Sequence, residues 1–153
     1  MALGSGGSAW ALCLPVVCTC TIATTNVAFG NYSPLAFGNT DTSASLKITC
    51  GGVVGLLIPF DIALSAGGSG SLTNRRMTSG ANTLNYNLYS DPAYTTVWGD
   101  GTAAPLVSSG VTLDLLGLAP AQQFWIYGRI PGRQLLAVPG FYVDALSVTV
   151  TYY

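Results

Sequence analysis

The chain contains no histidine and no glutamate, and only 7% of its residues carry a charge, against roughly 25% in ordinary globular domains. Without histidine there is no His-dependent nucleophile triad, no common zinc ligand set and no side chain that naturally titrates near neutral pH. Without glutamate, the acids are six aspartates: Asp41, Asp61, Asp91, Asp100, Asp114 and Asp144. None sits in a calcium-loop or kinase-like spacing, so no catalytic residue, metal site or cofactor is assigned. An enzyme would need carboxylates converging around Asp91, Asp100 or Asp144. The five basic residues are scattered and the net charge is −1, which excludes the clustered basic face of a nucleic-acid binder. So little charge also leaves weak repulsion between copies, and the free chain is expected to associate.

What is present is apolar and turn-rich. Half of the 153 residues are hydrophobic, with 19 Gly and 8 Pro. That is one domain's worth of chain, with the composition of short strands joined by tight turns. The closing stretch, Asp144 to Tyr153, alternates strictly. Leu146, Val148, Val150 and Tyr152 face one way; Ser147, Thr149, Thr151 and Tyr153 face the other, as in a half-buried strand. Further strands are predicted over Cys20–Val27, Ala44–Cys50, residues 56–64, Thr83–Tyr89, Val111–Leu118 and Phe124–Ile130. Pro59 lacks a donor and places its strand near an edge or bulge. The GGSGS run from Gly67 to Ser71 reads as a loop or hairpin tip. No convincing helix interrupts the series. About seven such strands describe an all-β, immunoglobulin-like antiparallel β-sandwich.

Residues 1–40 carry no charged side chain, and three readings of residues 1–19 stand. Ala9–Val17 resembles the apolar core of a secretory signal, although MALGSGGS lacks a positive start and no A-x-A site follows. The same residues can be a mature extension that acts as a strand. GSGGS also has the composition of an added flexible linker, and on each reading this run is expected to be disordered. The stretch is short and broken by Pro15, so it does not span a bilayer as a helix. Among Cys13, Cys18, Cys20 and Cys50, a bridge from Cys18 or Cys20 to Cys50 is more plausible than a metal site and implies an oxidising compartment.

Several blocks then fall in one order: CTI, AFGNYSP, LKITC, RRMTSGANTLNYNLYSD, VWGDG, IYGRIPGRQ and PGFYVDALSVTVTYY. From Cys20 to Tyr153 this series resembles the spore coat protein U domain family, the subunits of archaic chaperone–usher pili of Csu type. The resemblance pairs Cys20 with Cys50, closing a loop worth roughly 3–4 kcal/mol in the chain-entropy model. It gives structural roles to Arg76, Met77 and Tyr86, to the Trp98-Gly99-Asp100-Gly101 turn, to Tyr127-Gly128-Arg129, and to Tyr142 and Asp144. Residue by residue, Gly99 and Gly101 are expected at positive φ. Arg76 or Arg129 is expected to pair with Asp144 or Asp100, and Trp98 and Trp125 are candidate binding aromatics.

The resemblance also implies that the sandwich is incomplete. It lacks its final strand, so Leu146, Val148, Val150 and Tyr152 border an open acceptor groove, which is an aggregation template. Donor-strand exchange completes it, first with a strand from a periplasmic pilus chaperone and then, past an outer-membrane usher, with the N-terminal extension of a neighbouring subunit. The candidate donor strand here is Leu12, Leu14 and Val16. The chain divides accordingly into a signal-like or donor segment, 1–19, and a sandwich domain, 20–153. The implied function is a secreted structural subunit of a surface fibre, serving attachment or biofilm formation. The alternative is a spore-coat or tip adhesin that binds a surface or glycan through exposed aromatics.

Overall fold

The computed structural model describes residues 2–7, 18–35, 37–52, 55 and 57–153. The strands in chain order are β1 (Ala2–Gly7), β2 (Thr19–Thr24), β3 (Thr40–Gly51), β4 (Leu57–Leu64), β5 (Arg76–Ser79), β6 (Asn82–Asn85), β7 (Asn87–Tyr89), β8 (Val107–Thr112), β9 (Gln122–Ile130) and β10 (Ser147–Tyr152). Among the described residues the only helical element is a single 3-10 turn, Gly67–Ser69. One sheet has the order β1-β10-β4-β8, a second the order β2-β3-β9-β7, and β5-β6 form a separate hairpin. Every pairing is antiparallel except β1 with β10.

The period-2 alternation places the core. Leu46, Ile48 and Cys50 of β3 face Ile58, Phe60, Ile62 and Leu64 of β4, with Ile126 and Ile130 of β9 and Val148 and Val150 of β10, all buried. Each such side chain contributes about 1.5–3 kcal/mol on burial. Gly128 lies in the same inward row of β9. A Cβ there would meet Phe29 at 2.7 Å and Val27 at 2.9 Å, so the missing side chain lets the segment after β2 cross close above the core. Cys20 and Cys50 are register partners on β2 and β3, with Cα atoms 4.1 Å apart, and are bonded as a disulfide. Cys18 is also disulfide-bonded. Cys13 and the candidate donor Leu12, Leu14 and Val16 lie outside the described residues.

Four sequence expectations change. Thr83–Tyr89 is divided at Tyr86 between β6 of the hairpin and β7 of the second sheet. Val111–Leu118 is not one strand: β8 covers Val107–Thr112 and the chain then turns. The Asp114 carboxylate accepts from the amides of Leu116 and Leu118, Gly117 sits at φ +72°, and Leu115 and Leu116 are exposed. Alternation continued in the sequence, but the aspartate and glycine closed a turn across it. Pro59 lies in an interior strand, opposite Gly110. Its carbonyl accepts from Tyr153 beyond the last register pair, Tyr152–Phe60, so the missing donor falls where the ladder has ended. The Gly/Ser run expected to be disordered supplies β1.

Candidate acceptor strand and its anchors

Leu146, Val148, Val150 and Tyr152 are all buried, at 8%, 0%, 2% and 8% exposure. Their backbones define the edge. Ser147 accepts from Ser65 N–H, and Tyr153 N–H donates to Pro59, so the odd-numbered residues of β10 point their amides at β4. By the alternation of an antiparallel ladder, the amides of Val148, Val150 and Tyr152 point away from β4. The strand on that side is β1, in register from Ala2–Ser147 to Gly7–Tyr152. From β2 onward, then, the described sandwich supplies β10 with a single neighbour.

The head of β10 is also held by side chains from elsewhere in the sandwich. Asp144 Oδ2 accepts from Tyr86 Oη at 2.6 Å, and Oδ1 from the Gly68 amide at 2.9 Å. Burial first, then the hydrogen bond to Asp144, pushes the Tyr86 phenol well above its usual range, so it stays a donor. Gly67, at φ +70°, has no room for a Cβ, which would lie 2.2 Å from Asp144 Oδ2. Beside this junction Val27, Phe29, Met77, Tyr86, Tyr142 and Leu146 line a cleft of about 430 Å³. Four of the motif residues singled out from sequence, Met77, Tyr86, Tyr142 and Asp144, therefore meet at one end of the acceptor strand.

The buried arginine is the neighbour of the one matched to the motif. Arg76 is exposed on β5, whereas Arg75 is completely buried. Its guanidinium donates to Ser65 O at 2.7 and 3.0 Å, to Trp98 O at 2.8 Å and to Asn87 Oδ1 at 2.8 Å. Burial lowers the Arg75 pKa, opposed by the fields of Tyr86, Asp144 and Asp100. Ser65 in turn bonds both the carbonyl and the amide of Ser147, so Arg75 fixes the residue from which β10 starts. Two adjacent arginines give no sequence signal for which one turns inward; only the path of the chain decides.

The remaining expectations divide. Trp98 is a core residue at 1% exposure, its Nε1 donating to Ile62 O at 3.0 Å, and it is not available as a binding aromatic. Trp125 is 48% exposed on β9. Gly101 has φ +91°, but Gly99 is needed for space instead, since a Cβ there would meet Ala104 O at 2.5 Å. Neither expected arginine pair forms. Arg129 binds Asp41 across β9 and β3 at 2.7 and 2.9 Å and stacks 3.8 Å over Tyr94, beside Tyr127. Asp100 instead accepts from Thr102. Asp91, Asp100 and Asp144 belong to three separate hydrogen-bond sets, Asp91 accepting from Thr95 and Thr96.

In fold the chain is similar to a chain in the crystal structure of the CsuC–CsuE chaperone–tip adhesion subunit pre-assembly complex, from the archaic chaperone–usher Csu pili of Acinetobacter baumannii. The TM-score is 0.56 at 22% identity. The match covers 88% of this chain and 39% of that one. No curated protein matches the chain significantly. The model of the Spore Coat Protein U domain matches residues 9–149. With most of its length inside that match, the chain belongs to the spore coat protein U domain family.

Proposed function

We propose that this chain is a structural subunit of a chaperone–usher surface fibre, assembled by donor-strand exchange at β10. One observation carries the reading: the amides of Val148, Val150 and Tyr152 face away from β4, on the side that the sandwich after Cys18 leaves without a strand. A strand with a buried apolar face, whose outer side is paired only by the N-terminal segment β1, offers a place where another strand can be exchanged in. Family membership and the fold shared with a chain of a chaperone–subunit complex support the same conclusion. The partners are then a periplasmic chaperone, an outer-membrane usher and neighbouring subunits. The route is through the periplasm to the cell surface, with attachment or biofilm formation as the role. No helix among the described residues is long and apolar enough to cross a membrane. Four or five donor side chains would bury roughly 6–15 kcal/mol gross, reduced by the ordering of the donor.

The test is co-purification with a co-expressed pilus chaperone. Val148→Asp and Val150→Asp bury an unpaired charge and abolish capture. Both changes put a charge in the core, so Val150→Pro is the sharper variant: it keeps an apolar side chain there, deletes one outward amide and leaves the bonds to β4 in place. Unchanged capture by a folded Val150→Pro chain refutes the proposal. A second reading, a coat or tip adhesin, is favoured by the exposed Trp125 ring alone. A shaft subunit polymerises when its chaperone is removed, and a coat or tip protein does not.

A further inference from the structure

We infer that Ala2–Gly7 is a built-in placeholder, a strand of the chain's own that closes the open side of β10 until a donor strand takes its position. This rests on the donor-strand reading and adds a self-paired state to it. The register is complete: the six residues of β1 pair in sequence with the six residues Ser147 to Tyr152, so the whole outward side of the acceptor strand is covered. The backbone of β1 also approaches β2, at the seam between the two sheets. A strand in that position hides the exposed donors and acceptors of an edge, the feature that otherwise drives uncontrolled pairing.

The same segment is built to leave. Its sequence is ALGSGG, three glycines in six residues, and glycine loses more backbone freedom on ordering than any other residue. A permanent partner is expected to be rich in β-branched and apolar residues, as β4 (LIPFDIAL) and β10 (SVTVTY) are. The pairing is parallel, slightly weaker per residue than an antiparallel one. A donor offering large side chains therefore outcompetes β1 for the same backbone groups, while β1 suffices to keep a lone chain from pairing with the wrong partner.

Amide hydrogen exchange on the secreted, monomeric full chain reads this directly. Val148, Val150 and Tyr152 are expected to be protected together with Thr149 and Thr151. Only alternate residues of β1 face β10, so the double variant Gly4→Pro/Ser5→Pro removes a donor in either phase. In that variant Val148, Val150 and Tyr152 lose protection while Thr149 and Thr151, paired with β4, keep theirs. Capture by the co-expressed chaperone rises. Outward amides unprotected in the wild type, or equally protected in the monomeric variant, overturn the placeholder. So does a mature N-terminus beyond Gly7 by mass spectrometry. In each of those cases intact chaperone capture leaves the donor-strand reading standing, and its loss refutes that reading as well.

Discussion

Replacing Arg75 tests whether the acceptor strand is held by the knot at its head. In Arg75→Met the aliphatic stem is kept, and the guanidinium bonds to Ser65 O, Trp98 O and Asn87 Oδ1 vanish. Asn87 Oδ1 keeps the Leu88 amide at 2.8 Å, whereas Ser65 O and Trp98 O lose the guanidinium, at a cost of about 1–3 kcal/mol for each buried acceptor left without a partner. One carbonyl can relax toward water, and removing the charge recovers some desolvation, so the net loss is about 3–5 kcal/mol. Against a typical total of about 5–15 kcal/mol, that loss is large. Urea unfolding measures it as a fall in midpoint at unchanged slope. Arg75→Lys keeps the charge but not the planar fork, and recovers only part of the loss. The control is Arg76→Met at the exposed neighbour, expected within about 0.5 kcal/mol of wild type. If the Arg75 and Arg76 variants unfold at the same midpoint, the buried fork is not what fixes Ser65, and the account of how β10 is anchored is wrong.

Two further predictions address the same architecture. Gly67→Ala meets both a positive φ and a Cβ position 2.2 Å from Asp144, whereas Gly70→Ala meets the same φ of 70° in open space. Both lose stability in thermal unfolding, and Gly67→Ala loses about 1–3 kcal/mol more, because it also displaces the carboxylate from Tyr86. The Arg129 hydrogen bond, helped by its charge and opposed by burial, holds the Asp41 carboxyl below its usual range. Its contribution is therefore complete above the unfolded value of about 3.9 and is lost as the pH falls through the lower folded value. The pair is partly exposed, so that contribution is at most about 1 kcal/mol. Asp41→Asn accordingly narrows the gap between unfolding midpoints at about pH 7 and about pH 2, and an unchanged gap removes Asp41 from the acid response.

The strands were legible wherever one face is buried and the other wet. The runs in β3, β4, β9 and β10 alternate in sequence as they do in space, and the Cys20–Cys50 pairing implied by the family resemblance holds. What sequence could not reveal is what depends on chain path. Arg75 and Arg76 are chemically identical, and only the approach of Ser65 and Trp98 chooses between them. Trp98 reads equally well as a surface or a core ring until Ile62 O is placed against its Nε1. The strand expected over Thr83–Tyr89 is split at Tyr86 between β6 and β7, and its hairpin partner β5, turning at Gly80 with φ +61°, hides in a polar stretch with Met77 as its one buried position. Ala2–Gly7 pairs through its backbone alone as far as composition can tell, and a Gly/Ser run carries no record of a ladder.

Core and edge are separable in this sandwich, and that separation is what an exchangeable strand requires. The inward faces of β3, β4, β9 and β10 bury their apolar side chains against one another, so the described sandwich after Cys18 has a hydrophobic core of its own. The outer side of β10 adds backbone bonds, each worth about 0.5–1.5 kcal/mol net. At the head of the strand, Arg75, Ser65, Asp144 and Tyr86 hold β10 in line through contacts that do not involve β1. Changes in the knot are therefore expected to alter unfolding more than strand capture, and Val150→Pro to alter capture more than unfolding. If both classes of variant moved both quantities in proportion, the edge would be part of the core's cooperativity, and a strand could not be exchanged there without unfolding the domain.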